Sequence, residues 1–183
     1  MESAPIIIIS GPPGSGKSTI ARLLAEQSAH ERSIHMHTDD FYKYIKNGYV
    51  PTWSPEAQYQ NIVTLEAVTA SASRFALGGY ETIVDGIIGP WFLDPWFQAI
   101  SKGIDVHLVV LRPDEKTTIA RARERQGAGV LANPDIIATM WHYFADLGQY
   151  EPHVTDTTHQ SIDESVATII KLVTSNAMRL SKL

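Results

Sequence analysis

Short apolar runs alternate along the chain with longer segments whose apolar residues recur at helical spacing. The runs predict five β-strands, at residues 6–9, 33–38, 81–85, 104–111 and 153–155. Strands that alternate with helices require crossover connections, and such connections make neighbouring strands parallel. We therefore expect one α/β domain over residues 1–183, a three-layer sandwich around a five-stranded parallel sheet.

Two of the predicted helices have start signals in the sequence. Ser54 and Pro55 are typical of a helix N-cap followed by a first-turn proline. The expected core face of this helix is formed by Ile62, Leu65, Val68 and Phe75. A later helix is predicted to begin at Asn133-Pro134 and to bury apolar residues as far as Leu147.

The segment between the first strand and the first helix fits the pattern G-x-x-x-x-G-K-[ST] of a phosphate-binding loop. Its glycines let backbone N–H groups face phosphate oxygens, and the following helix adds the positive end of its dipole. Lys17 supplies a charge for the β- and γ-phosphates, and the Ser18 hydroxyl is a ligand for Mg²⁺. A plain glycine-rich turn would need neither side chain, so we predict binding of ATP and Mg²⁺. The expected nucleotide-binding residues of the loop are Gly11, Pro12, Pro13, Gly14, Ser15, Gly16, Lys17, Ser18 and Thr19.

Acidic residues follow the second and third predicted strands, at the sheet edge where ligands bind in parallel sheets. Phosphoryl transfer to a hydroxyl needs a carboxylate that accepts the proton, and Asp39 is the candidate. The alternative is that Asp39 is only solvated and Asp40 caps a turn. Asp85 would hold Mg²⁺ through water, or else would face substrate or serve the structure.

An arginine-rich helix precedes Gly127 and Gly129. Arg121 and Arg125 lie four residues apart and share a helix face, where they would stabilise the charge of transferring phosphates. The glycines would allow a lid at about residues 115–132 to close over the site. The alternative is a solvated charged helix.

The histidines and the aromatic residues indicate a metal site or a ligand pocket less clearly than the motifs above. His35 and His37 share a strand face, but no third ligand for a metal is evident, so we expect them to pack or to line the cleft. The aromatic residues around 42–59 and 91–96 would line an acceptor pocket, or else would belong to the core.

Charge and composition limit the partners. The net charge is −5, which disfavours nucleic acid, and there is no cysteine for thiol or disulfide chemistry. We find neither an apolar run of 18 residues nor a basic leader, so we expect no membrane span, a cytoplasmic location, and a monomer or homodimer. The terminal Ser181-Lys182-Leu183 would be a peroxisomal address in a eukaryote, or otherwise a helix end.

With these residues in place, the sequence resembles the small P-loop kinases of the nucleoside-monophosphate-kinase-like group, which includes gluconate, shikimate and uridine kinases and chloramphenicol phosphotransferase. The segment from His37 to Lys43 looks like the strand-two segment of uridine kinases, whose first acid is the base, and this implies Asp39. The segment Val154–Thr157 looks like the turn beside adenine, which implies Asp156 and Thr157 in nucleotide binding. The resemblance also implies a P-loop NTPase fold with lid arginines.

The favoured function is ATP-dependent phosphotransfer to a hydroxyl of a small metabolite or drug-like acceptor. One alternative is a polynucleotide or tRNA end kinase, which the acidic charge and Lys43, in place of an arginine, disfavour. The other is a non-catalytic nucleotide switch or assembly ATPase, which the short chain and the absence of a guanine-reading tetrad disfavour.

Overall fold

A computed structural model of the chain describes residues 3–124 and 134–181. Five parallel strands form one sheet in the order β2-β3-β1-β4-β5. The strands are β1 (Ile6–Ser10), β2 (Ser33–His37), β3 (Glu81–Asp85), β4 (Val106–Leu111) and β5 (Val154–Thr155). The predicted parallel five-stranded sheet is confirmed.

Helices cover both faces of this sheet. They are α1 (Lys17–Glu26), α2 (Thr38–Lys43), α3 (Gln58–Leu77), α4 (Asp94–Ser101), α5 (Glu115–Glu124), α6 (Pro134–His142) and α7 (Ile162–Thr174), with short 3₁₀ turns at Pro55–Ala57, Pro90–Phe92 and Gly148–His153. Across residues 3–124 and 134–181, none of the helices has the length and apolarity that crossing a membrane would need.

Alternate residues of the central strands serve two separate cores. On one side, Ile6 and Ile8 pack with α3 and α4, where Trp96 is fully buried. On the other side, Ile7 and Ile9 pack with α1 and α7. All five residues of β1 are buried because the strand has a neighbour at each edge and helices on each face.

The structure corrects three of the expected elements. Strand β2 ends one residue early, and α2 begins at Thr38, so the acidic pair lies in the first turn of a helix. In α3, Ile62 and Phe75 of the expected core face are exposed. Leu65 and Val68 are buried as predicted, and the rest of the buried face contains small and polar residues such as Thr69, whose hydroxyl donates to the carbonyl of Leu65 within the helix.

The helix expected to reach Leu147 ends at His142. The chain then turns, and the Arg112 guanidinium binds the carbonyl oxygens of Phe144 and Ala145. Because these oxygens accept from Arg112, a further helical turn is not needed to satisfy them. Phe144 and Leu147 are nevertheless buried, as the apolar pattern predicted.

Register brings the strand ends together at one edge. His37, the last residue of β2, pairs with Asp85, the last residue of β3. Asp85 in turn pairs with Ile9, one residue before the end of β1. Gly86 follows without a side chain, and a Cβ there would lie 2.2 Å from Oγ1 of Thr38. The absence of a side chain at Gly86 therefore allows the start of α2 to pack directly against the end of β3.

Candidate active site

The phosphate loop connects β1 to α1 and is fixed against the neighbouring strand. Gly11 has φ +138°, and a Cβ there would lie 2.2 Å from the carbonyl oxygen of Leu111, so a side chain cannot be accommodated. The Ser10 hydroxyl donates to the carbonyl of Ile88 at 2.8 Å and accepts from its N–H at 3.0 Å. The loop is therefore held in place from two sides.

Polar groups of the loop converge where a phosphate would lie. Lys17 Nζ donates to the carbonyl of Pro12 at 2.8 Å, so its ammonium lies over the loop. The hydroxyl of Ser15 is buried and has no hydrogen-bond partner in the described part of the chain. Helix α1 begins at Lys17. Its N-cap residue is Gly16, which has no side chain to accept from the backbone N–H groups of the first turn. These donors fit an anion such as a nucleotide phosphate.

Asp85 is the buried centre of the site. The Ser18 hydroxyl donates to its Oδ2 at 2.7 Å, while His35 Nε2 lies 2.5 Å from its Oδ1. His37 Nδ1 lies 2.9 Å from Oδ2. Complete burial works to raise the pKa of Asp85, but the hydrogen bonds from His35, His37 and Ser18 outweigh it and hold the pKa well below its ordinary value. Asp85 therefore remains a carboxylate.

His37 connects the buried carboxylate to the predicted base. Its second ring nitrogen, Nε2, lies 3.3 Å from Oδ2 of Asp39. The interactions with Asp39 and then with Asp85 raise the pKa of His37 to about 10, although burial opposes them. The ring is therefore a cation at neutral pH, with one N–H directed at each carboxylate.

Asp39 and Asp40 have different surroundings. The contact with His37 lowers the pKa of Asp39 against the effect of burial, and the charge of Lys17 lowers it further. Asp39 therefore lies within the field of the phosphate-loop lysine. Asp40 instead binds Lys43 Nζ at 2.6 Å, one turn along α2. Only Asp39 of the two lines the cavity described below.

A cleft of about 390 Å³ lies on the other side of the phosphate loop. Gly14, Ser15, Gly16 and Thr19 of the loop line it together with Arg121 and Thr157. Arg121 donates to the carbonyls of Thr157 at 3.2 Å and Thr158 at 3.4 Å, and so holds the turn after β5 against α5. Asp156 is exposed and accepts from the N–H and hydroxyl of Thr158. The Asp156 side chain thus shapes the turn, while Thr157 faces the cleft.

A cavity of about 480 Å³ has Asp39 in its wall. It is lined mainly by residues of α2 and of the segment 45–53, including Tyr42, Tyr49 and Trp53. The aromatic residues expected around 91–96 serve packing instead. Trp96 is fully buried, and Trp91 packs edge-on against Phe92, Tyr143 and Phe144.

Ser18 and Asp85 fit a bound Mg²⁺. Both offer oxygen atoms, and both oxygens of Asp85 already accept hydrogen bonds, so water would mediate its contact with the ion. In the part of the chain that the structure describes, no cluster of three or more His, Asp or Glu side chains could hold a metal alone.

The sequence analysis did not predict the contacts of His37 with Asp85 and Asp39. One predicted site residue lies outside the described part of the chain. Arg125 and the lid glycines lie outside the described residues, so the lid stays a prediction. His37 has the spacing H-x-D to Asp39, which the sequence shows. Its contact with Asp85 depends on strand register, which the sequence does not show.

Comparisons with known proteins identify the family of the chain. A family model described as the AAA domain matches residues 7–132, which is more than half of the chain. A search of curated proteins gives no match.

Solved structures that share the fold include small kinases and a resistance protein. An APS kinase of Mycobacterium tuberculosis, in complex with AMPPNP and APS, has TM-score 0.68 at 17% identity and covers 95% of this chain and 99% of that chain. A tunicamycin resistance protein of Deinococcus radiodurans has TM-score 0.65 at 20% identity, with 98% and 99% covered. An unliganded sugar kinase of Janibacter sp. HTCC2649 has TM-score 0.66 at 17% identity, with 93% and 95% covered. The expected likeness to small P-loop kinases is confirmed for the fold.

Proposed function

We propose that this chain, which belongs to the AAA-domain family and has the fold of small P-loop kinases, transfers the γ-phosphate of ATP to a hydroxyl of a small acceptor. One observation carries the proposal. Asp39 lines a cavity large enough for a small molecule, and the same carboxylate is tied through His37 and Asp85 to Ser18 of the phosphate loop. A proton acceptor and a phosphate site are thereby held in one connected framework.

Each residue then has a defined task. The acceptor oxygen forms a bond to the γ-phosphorus, the bond from that phosphorus to the bridging oxygen breaks, and ADP leaves. Asp39 accepts the proton of the acceptor hydroxyl, a role that is worth roughly 10²–10⁴-fold in rate. Lys17 stabilises charge on the phosphates, and Arg121 holds the turn that borders the nucleotide cleft. Mg²⁺, when bound by Ser18 and through water by Asp85, would neutralise phosphate charge.

His37 is proposed as a positioning residue. A protonated ring between two carboxylates fixes the orientation of Asp39, whose side chain is otherwise 60% exposed. An exposed carboxylate without such a partner would sample several rotamers, and catalysis needs the reacting groups in one geometry.

The test is acceptor-dependent turnover. ADP release should rise when a suitable alcohol is added to the protein with ATP and Mg²⁺, and mass spectrometry should detect the phosphorylated alcohol. Lys17→Ala should lose both signals. ATP hydrolysis at an unchanged rate with every acceptor in a screen of sugars, nucleosides and antibiotics would contradict phosphotransfer and favour an ATPase.

A further inference from the structure

The cavity beside Asp39 defines what kind of acceptor fits. Its volume of about 480 Å³ is within the usual range of pockets for small molecules. Because Asp39 is in its wall, a molecule that occupies it lies next to the proposed base. The remaining wall residues therefore select the acceptor.

Aromatic and apolar side chains form most of this wall. Tyr42, Tyr49 and Trp53 contribute rings, and Ile87 and Met140 contribute apolar surface. Tyr49 and Trp53 are 48% and 51% exposed, which is unusual for residues of their size. Exposed rings grouped around a cavity are typical of a ligand site, because a ligand would cover them.

The two exposed rings stand on a segment that is held in place. The Gln60 side chain accepts from the N–H of Val50 at 2.8 Å and donates to its carbonyl at 2.7 Å. The buried Asn61 side chain donates to the carbonyl of Thr52 at 2.8 Å. Two side chains of α3 thus fix the backbone between Tyr49 and Trp53. The rings are preorganised, which lowers the entropy lost when a ligand binds.

The charges at the cavity disfavour an anion. Asp39 contributes a carboxylate to the wall, and Lys43 contributes an ammonium that is already paired with Asp40 at 2.6 Å. Among residues 3–124 and 134–181, no arginine lines the cavity. A phosphate, sulfate or carboxylate on the acceptor would therefore face the Asp39 carboxylate and would have to compete with Asp40 for the ammonium of Lys43.

Tyr42 adds a neutral polar contact at the same wall. Burial and then the charge of Asp39 raise the pKa of Tyr42 to about 12, so its phenol stays protonated at neutral pH. A protonated phenol both donates and accepts hydrogen bonds, which suits hydroxyl, amide or ring-nitrogen groups of an uncharged molecule.

From these contacts we propose that the acceptor is an alcohol that carries a planar ring and no negative charge, with the ring against Tyr49 and Trp53 and the hydroxyl at Asp39. The proposal rests on the proposed function, because phosphotransfer is what gives the hydroxyl its place.

A matched set of compounds tests it by direct binding. Saturation-transfer NMR in the presence of ADP and Mg²⁺ would compare uridine with ribose, which lacks the ring, and with uridine 5′-monophosphate, which adds negative charge. Chloramphenicol and 2-phenylethanol extend the set of uncharged ring-bearing alcohols. At least one ring-bearing alcohol should bind saturably, and ribose and the monophosphate should bind at least about fivefold more weakly than uridine or not at all.

Two variants locate the binding. Trp53→Ala should weaken binding of the ring-bearing alcohol about tenfold, since stacking on an aromatic side chain contributes at this level. Tyr44→Ala is the matched control, because Tyr44 is 71% exposed but lies outside the cavity wall. Equal binding of ribose or the monophosphate, no binding by any ring-bearing alcohol, or an unchanged affinity in Trp53→Ala would overturn the proposal.

The same samples separate this proposal from the proposed function. Ring-bearing alcohols that bind as expected but are never phosphorylated would remove phosphotransfer and leave the cavity assignment intact. A phosphorylated acceptor that is anionic or lacks a ring would leave phosphotransfer intact and remove the acceptor class.

Discussion

The hydroxyl of Ser18 donates a hydrogen bond to Oδ2 of Asp85 at 2.7 Å, across 67 positions of sequence. The contact joins the start of α1 to the end of β3, and it places a hydroxyl and a carboxylate where one hydrated cation could meet both. The site is therefore built where the central strand and its neighbour end.

Ser18→Ala should shift the magnesium dependence of turnover to higher metal concentration. The substitution removes a direct oxygen ligand and leaves Asp85 with His35 and His37 as partners. We expect about a tenfold increase in the magnesium concentration for half-maximal rate, measured at fixed ATP. Ser18→Thr keeps the hydroxyl and should behave like the wild type. Superimposable titrations of the alanine variant and the wild type would remove Ser18 from the metal site.

His37→Gln should lower kcat about tenfold and leave ATP affinity nearly unchanged, because a neutral amide cannot orient both Asp39 and Asp85. His35→Gln is the matched control. His35 contacts Asp85, whereas the Asp39 carboxylate is contacted by His37. The comparison is steady-state kcat beside ATP binding by calorimetry. If both variants lose kcat equally, the loss comes from the contact with Asp85 that both histidines make. His37 would then not be a positioning residue for Asp39.

Arg121→Ala should weaken ATP binding about tenfold, since a charged donor is lost from two carbonyls of the turn that borders the proposed nucleotide cleft. Arg123→Ala, on an exposed position of the same helix, should have little effect. Calorimetric titration of both variants with ATP makes the comparison. Equal affinities would show that Arg121 does not shape the nucleotide site.

The sequence was sufficient for features that depend on local spacing. The order of strand, glycine-rich loop and Lys17 lies within a few residues, and the apolar run of β1 is continuous. Features that depend on the register between strands could not be predicted from the sequence. The contact of His37 with Asp85 exists because β2 pairs with β3 in one register, and the ion pair of Asp40 with Lys43 forms only when α2 brings the two side chains together.

The face of α3 shows a second limit. Hydropathy selected Ile62 and Phe75 for the core, but they are exposed, and Asn61 and Thr64 are buried. Asn61 is buried because its amide holds the segment that carries Trp53. A polar residue that serves a loop carries no hydrophobic signal, so apolar spacing could not predict the buried Asn61, whereas the aromatic residues around 42–59 did indicate a cavity in that segment.

Glu151 should make stability depend on pH. Its hydrogen bonds with Arg112 and then with the N–H of Leu147 lower its pKa below the ordinary value of 4.5. A lowered pKa in the folded state contributes stability above the unfolded pKa, and that contribution is lost as the pH falls through the folded pKa. Glu151→Gln should therefore lower Tm by about 2 °C near pH 6, and the difference should shrink toward pH 3. A constant difference across this range would assign the effect to packing.

The most direct measurement is single-turnover phosphotransfer by Asp39→Asn and Asp40→Asn, with an acceptor found in the screen and ATP binding measured on the same preparations. Asp39→Asn keeps the shape of an exposed side chain, so the fold and ATP affinity should persist. Its transfer rate should fall by about 10²–10⁴-fold, the usual contribution of a general base. Asp40→Asn should lose less than about threefold, because Asp40 does not line the cavity and its carboxylate is paired with Lys43. Transfer by Asp39→Asn at the wild-type rate, or a larger loss in Asp40→Asn, would contradict the assignment of Asp39 as the base.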